Sequence, residues 1–351
     1  MSVADERKNL IGTAFYSTTS QIALRMISPG AVADPTQLVR NRVQAAVALR
    51  RKLVQDSDSY RVVFSEADQL PGVVADKYND IVTVQFLSQT TDQEWFRSAF
   101  LQTLQEELKP VAIIERVEER IRELEQLPSR ESGLLLGEKT QTNFTLNGIH
   151  FSFDALSGQK TGAFLDQREN YAAAAKYAKG EAMDVFTYQG GFALHLARLC
   201  DSVIGVDSSR AALETAEKNE SLNSFPKPIE WMEANAFELM KDWASSGRQF
   251  DTIVLDPPAF AKSHKDHGAA LRGYKEINLR ALKMLRSGGV LVTCSCSQHV
   301  KETDFLDMLR EAASDARRVA RVLEKRGQAK DHPVLLGVPE TAYLKYVILQ
   351  V

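Results

Sequence analysis

The spacing of apolar residues changes character near Gln167. Downstream of it, short apolar runs alternate with segments of helical period, the pattern of a parallel sheet wrapped by helices. The alternation predicts helix over Tyr171–Tyr177, strand over Glu181–Phe186, helix over Phe192–Leu199 and strand over Ser202–Asp207. Helix Ala211–Asn219, strand Ile229–Glu233, helix Phe237–Ala244 and strand Thr252–Asp256 follow. Helix Lys275–Leu285, strand Val290–Cys294 and helix Glu302–Ala313 complete a doubly wound, α/β arrangement.

Upstream the pattern is mixed. Residues 13–28 read as two short strands with a polar connection. Asp34–Val54 has helical period, with Leu38, Val39, Val43, Val47 and Leu53 on a stripe and arginines elsewhere. Tyr60–Leu87 reads as a meander of strands Arg61–Phe64, Gly72–Ala75 and Ile81–Phe86, with Lys77–Asp80 as a turn. An amphipathic helix over Gln93–Leu108 stops before Pro110, Ala112–Glu115 is a strand, and Phe144–Phe153 is a hairpin turning on Asn147-Gly148.

Composition narrows the classes. A chain of 351 residues has room for two or three domains, and 44% hydrophobic with 25% charged residues is ordinary for a globular protein. Met1–Gly12 lacks the apolar core of a signal peptide, and no stretch is long and apolar enough to span a bilayer, so no membrane partner is expected. Three cysteines are too few for a disulfide framework and point to a reducing cytoplasm. A net charge of −3 excludes a polycation, but nucleic acid needs only a local basic face. Two stretches qualify: Arg40, Arg42, Arg50, Arg51 and Lys52, with no acid among them, and Arg317–Lys330, with Glu324 as its single acid. Each also reads as a solvated helix face.

Candidate chemistry gathers at strand ends. The first strand ends in Asp184-Val185-Phe186, followed by Gly190-Gly191, and the second ends in Asp207. Ligands of open α/β sheets bind outside the carboxyl ends of the strands, where glycines admit close backbone approach and a helix start offers N–H groups. Asp207 is placed to accept from ribose hydroxyls. The three-glycine dinucleotide fingerprint is absent, which favours a nucleoside ligand without a pyrophosphate. Asn235 either accepts from an adenine amine or caps the helix that follows. Asp256-Pro257-Pro258-Ala259-Phe260 closes the fourth strand with a rigid turn, leaving Asp256 as an acceptor and Phe260 as a stacking surface. Cys294 and Cys296 end the fifth strand. Cys294 and Cys200 read as small buried hydrophobes. Cys296, between Ser295 and Ser297, reads as a nucleophile. His264, His267 and His299 supply metal-ligand types, but no spacing matches an ordinary zinc site, and no metal is expected.

These residues resemble the class I S-adenosylmethionine (SAM)-dependent large-subunit ribosomal RNA cytosine-5 methyltransferases. The resemblance covers nearly the whole chain and rests on Lys160–Asn170, Asp256–Lys262, Ser295-Cys296-Ser297, His332–Lys345 and Leu70–Asp76. It implies a partial PUA-like RNA-binding β segment over 1–30, a connecting helix over 31–55, a central α+β domain over 56–158 and a Rossmann-like SAM methyltransferase domain over 159–351. Residues 1–28 look like only the second half of the PUA-type domain, so the chain is expected to start inside it.

The resemblance further implies Cys296 as nucleophile and a SAM site of Asp184, Phe186, Gly190, Gly191, Asp207, Ser208, Asn235 and Asp256, with Leu165–Arg168, including Gln167 and Arg168, over the donor. Phe260, Lys262, Arg50 and Arg51 are the expected RNA contacts. The partner would be 23S rRNA or a large-subunit precursor, with a homodimer allowed. The fourth-strand motif lacks the second cysteine that many RNA cytosine-5 enzymes carry, so the motif does not identify the carbon-5 base; Asp256 or a water it positions is the candidate. Two rivals are an amino-methyltransferase, which needs no thiol, and a non-catalytic RNA-binding assembly factor.

Overall fold

The computed structural model describes residues 1–156, 163–261 and 264–351. The chain divides into two compact units, the first made of Met1–Gly148, Ser152–Asp166 and Lys330–Thr341, the second of Ile149–Phe151, Gln167–Ala329 and Ala342–Val351. No helix among the described residues is long and apolar enough to cross a membrane.

The first unit opens with an antiparallel sheet of β1 (Ser2–Ala4), β2 (Leu10–Tyr16) and β3 (Leu24–Ser28). The last two were expected; β1 is too short to show a period. Asp34 caps α1 (Pro35–Leu53) by accepting from the Gln37 N–H at 2.9 Å, and Pro35 sits where its missing N–H costs nothing. A second sheet follows in chain order: β4 (Tyr60–Phe64), β5 (Val73–Tyr78), β6 (Ile81–Phe86), β7 (Ala112–Glu115) and β8 (Gly133–Leu136). β6 and β7 are parallel because α2 (Glu94–Leu108) crosses between them. A short α3 (Glu119–Leu124) precedes β8, and the hairpin of β9 (Gln141–Leu146) and β10 (Ile149–Asp154) turns on Asn147 and Gly148, at φ 50° and 77°.

The segment expected as a connector is part of the core. Val39, Val43 and Val47 of α1 pack with Phe15 and Ile27 from the first sheet and Val62, Val63 and Val84 from the second.

Arg50 lies on that same stripe, at i+7 from Val43, and is 0% exposed. Its NH1 and NH2 donate to the two Asp68 oxygens at 2.5 and 2.8 Å, and NH2 donates to the Asp331 carbonyl at 2.8 Å. The expectation that Arg50 contacts RNA is therefore corrected: its guanidinium is sealed inside a structural ion pair. Arg51 is exposed and pairs with Glu107 at 3.2 Å.

The second unit begins with α4 (Arg168–Tyr177), β11 (Glu181–Val185), α5 (Gly191–Leu196), β12 (Ser202–Asp207), α6 (Arg210–Ser221) and β13 (Glu230–Glu233). It continues with α7 (Ala236–Ser246), β14 (Phe250–Leu255), α8 (His267–Met284), β15 (Leu285–Ser295), α9 (Glu302–Asp315), β16 (Arg321–Arg326) and β17 (Lys345–Gln350). The strand order is β13-β12-β11-β14-β15-β17-β16. Five strands are parallel, but β17 runs antiparallel to both β15 and β16, so the sheet is mixed rather than wholly parallel. The order reverses between β12-β11 and β14-β15, which places a switch-point crevice at the carboxyl ends of β11 and β14. Met183, Val185, Ile253, Leu255 and Leu291 fill the core beneath it. The second basic stretch is largely the edge strand β16, not a helix. Its Arg326 pairs with Glu169 and Glu324, and its Lys325 with Glu302.

Candidate active site

The loop after β11 is held in an unusual backbone path. Phe186, Tyr188 and Gly190 have φ of 66°, 52° and 86°, and left-handed conformations at the first two are costly for non-glycine residues. Asp207 fixes this loop by accepting from the Tyr188 N–H at 2.9 Å, while its other oxygen accepts from Ser209 N–H at 2.9 Å. Both glycines are required. A Cβ on Gly190 would lie 2.9 Å from the Trp231 ring, and one on Gly191 would lie 2.6 Å from that of Tyr171. Trp231 also leaves no room for a side chain on Gly205 inside β12. A glycine within a strand signals such a close approach, so Trp231 was within reach of sequence reasoning, which passed over it.

Asp184, next to last in β11, is 0% exposed. One oxygen accepts from Thr187 Oγ1 at 2.5 Å and Ala193 N–H at 2.9 Å; the other has no hydrogen-bond partner. Burial, joined by the charges of Asp256 and Asp207, raises its pKa to about 7 against these two bonds. The folded state thus binds a proton that the unfolded chain releases near pH 4. Its stabilising contribution is full below pH 4 and is lost as pH rises through about 7. Thermal unfolding of wild type and Asp184→Asn between pH 5 and 7.5 checks this. The wild-type midpoint should fall across that window relative to the variant's, and parallel curves would refute the assignment. The helix start expected to offer N–H groups is short: α5 has six residues, and Asp184 already takes its Ala193 N–H.

Asp256 follows β14 and is half-buried. Gln167 Nε2 donates to it at 3.0 Å, and Gln167 Oε1 accepts from Asn170 Nδ2 at 2.7 Å. Arg326 Nε donates to Asn170 Oδ1 at 2.8 Å, and Tyr346 donates to the Asn170 carbonyl at 3.1 Å. Asp256 is therefore braced from α4, β16 and β17. Cys294, 0% exposed, touches Asp256 and Gln167, and burial holds its thiol far above the usual range. That environment suits an inert role.

Cys296 lies just past β15 and is partly exposed, so it can be reached where Cys294 cannot. Its neighbour Ser297 is buried and ties three segments together. Ser297 Oγ accepts from the Ala261 N–H at 3.2 Å and shares a 2.9 Å bond with the Tyr274 hydroxyl, while its carbonyl accepts from Lys345 Nζ at 2.6 Å. Sequence reasoning missed Tyr274 and Lys345. Lys345 came only as the end of a motif, and nothing local marked it as reaching another strand.

The remaining expected residues divide. Phe260 is half-buried, its ring 4.6 Å from Tyr274 and 5.8 Å from Phe237, leaving part of its surface open. Ser208 is exposed beside Asp207, and Arg168 is buried at the start of α4. Asn235 Oδ1 accepts from the N–H groups of Phe237 and Glu238, at 2.9 and 3.3 Å. It is the cap of α7, so the oxygen meant for an adenine amine is already engaged. Lys262 lies outside the described residues, as do 160–162 of the Lys160–Asn170 segment.

Residues 120–349 match a family described as S-adenosylmethionine-dependent methyltransferase. Curated relatives named ribosomal RNA large subunit methyltransferase I include one from Tolumonas auensis, 37% identical across 100% of this chain and 90% of that protein. Another, from Shewanella denitrificans, is 36% identical across 97% and 87%. Among solved structures, "a putative SAM-dependent methyltransferase" from Streptococcus mutans superposes with a TM-score of 0.85 at 18% identity, over 100% of this chain and 90% of that one. A methyltransferase structure complexed with SAH is similar, with a TM-score of 0.84 at 18% identity, 100% and 90% covered.

Proposed function

Since the chain belongs to the S-adenosylmethionine-dependent methyltransferase family, we propose that it methylates carbon 5 of a cytosine in large-subunit (23S) ribosomal RNA through a cysteine–RNA adduct. The observation that carries this reading is the accessible Cys296 on the strand-end edge that bears Asp184, Asp207 and Asp256. The relatives' names supply the RNA, and the thiol supplies the position on the base.

The residues fit SAM. Acidic side chains at three strand ends suit a cationic ligand, and one buried Asp184 oxygen has no partner within the protein. The Gly190-Gly191 turn packs so closely on Trp231 and Tyr171 that it admits no side chain, which keeps the loop after β11 in its path. Asp184, Phe186, Gly190, Gly191, Asp207 and Ser208 would hold the cofactor, with Gln167, Arg168 and Asp256 closing the methyl end. When bound, SAM supplies an electrophilic methyl group.

The protein's part is to make the pyrimidine ring nucleophilic. A cytosine from an opened or single-stranded segment enters unstacked. The Cys296 thiolate forms a bond to carbon 6, and the ring π electrons shift to carbon 5, which takes the methyl. Asp256, fixed by Gln167, then accepts the carbon-5 proton. The electrons left behind restore the ring double bond and expel the thiolate. Phe260 offers its open surface to the flipped base. The first unit, with its N-terminal sheet as the PUA-like part, would grip RNA, and the reaction would run in the cytoplasm, where ribosomes are built.

The test is transfer of labelled methyl from SAM into large-subunit rRNA isolated unmodified, followed by nucleoside analysis. We expect 5-methylcytosine. A base methylated on an exocyclic amine would sink the carbon-5 reading. Tight SAM binding with no transfer would favour an assembly factor.

A further inference from the structure

Lys345 opens β17 directly opposite Ser295 of β15 in the antiparallel register. The residue is only 8% exposed. Nζ donates to the Ser297 carbonyl at 2.6 Å and to the Tyr343 carbonyl at 2.8 Å. Two of its three protons are thereby used, and the ammonium is pinned across the turn whose middle residue is Cys296. No carboxylate among the described residues forms a salt bridge with it. A buried ammonium held by neutral carbonyls is costly to the fold, and a methionine would fill the same space without that cost. A cation kept in such a place is a candidate for a role at the site it touches.

We propose that Lys345 is the positioning cation of Cys296, holding the thiol in its ionised form ready to add to the pyrimidine ring. This rests on the reading of Cys296 as nucleophile. Lys345 touches neither the ring nor SAM in this scheme; it acts through the sulfur. Burial pushes its pKa down to about 8, and the charge on Cys296 pulls it back up, so the two groups feel one another. Other titratable groups border the turn, and His299 follows it in the same loop. Tyr274 from α8 also feels Cys296, and Cys294 lies two residues back on β15; burial keeps both neutral. Asp256, beyond β14, acts against Cys294. The sign follows directly. Lys345 is charged below pH 8 and loses its proton as pH rises through that value, so its support for the thiolate is present at neutral pH and fades in alkali.

The experiment is the rate of Cys296 alkylation by iodoacetamide from pH 5.5 to 9.5, followed by mass spectrometry of the Cys296 peptide in the full-length protein. It uses no RNA and no SAM. For K345M we expect the midpoint to rise by at least about one pH unit, with roughly 10-fold less thiolate at pH 7. K345R, whose charge is permanent, should hold the midpoint at or below wild type. An unchanged midpoint in K345M overturns the proposal. If K345M does not fold, K345R decides alone: a midpoint above wild type overturns the proposal. The failures are separable. Absence of 5-methylcytosine from wild-type product refutes the proposed function, whereas an unmoved alkylation midpoint refutes the role of Lys345 alone.

Discussion

Replacing Cys296 with alanine is expected to lower methyl transfer by roughly 10⁴- to 10⁶-fold, the scale of loss when a covalent nucleophile is deleted. The reason lies in the base. Carbon 5 of cytosine carries too little electron density to attack a methyl group until a nucleophile has added at carbon 6, so without the thiol the ring is never activated. The carboxylates and glycines that would hold SAM belong to other strand ends, so SAM affinity should change by less than about threefold. Single-turnover transfer together with equilibrium SAM binding separates the two effects. A variant that retained wild-type transfer would make Cys296 structural and return the site to direct attack by an amine. Cys294→Ala is the control. Its thiol is sealed off, so its loss should cost the modest stability of a small buried group and leave the mechanism in place.

The second large effect concerns the fold. Arg50→Met should destabilise the first unit by about 3–5 kcal/mol, because it strands the Asp68 carboxylate in the interior. Asp68 is 6% exposed at its side chain and receives both guanidinium bonds as well as the Phe64 N–H at 2.6 Å. The Asp331 carbonyl would lose its donor too. For a unit of this size the thermal midpoint should drop by roughly 10 °C. The double variant Arg50→Met, Asp68→Leu should recover much of the loss, since removing both charges removes the stranded one. Differential scanning calorimetry of the single and double variants decides. A drop of less than about 1 kcal/mol in the single variant would mean that Asp68 finds water or another donor.

The alternation after Gln167 announced the parallel part of the second sheet because its central strands carry short apolar runs and each helix repeats on its own period. The strand-end positions of Asp184, Asp207, Asp256 and Cys296 followed from that pattern. β16 was not legible. Its Arg-Val-Leu-Glu-Lys-Arg run is that of an edge strand with charges on both faces, which no period distinguishes from a solvated segment. β17 is apolar enough to be a strand, but its place between β15 and β16 depends on pairing across the fold, which local pattern does not encode. Arg50 shows the converse limit. Its charge suggested a polar face, while its place on the stripe of Val43 and Val47 sent it inward, where Asp68 makes burial tolerable. Asn235 could be read as cap or ligand, and its bonds to Phe237 and Glu238 show the cap.

The position of β17 bears on how this protein is made. The strand emerges from synthesis after every other strand of its sheet, yet it lies inside the sheet, paired on both sides. Until it arrives, β15 presents an unpaired edge with an apolar Val290–Val292 run, the kind of edge that invites pairing with another chain. The same strand carries Lys345 and Tyr346 to Ser297 and Asn170. On the proposed role of Lys345, cover for the β15 edge and activation of the thiol arrive in one late step, and a chain clipped before residue 345 is expected to lose methyl transfer and to aggregate.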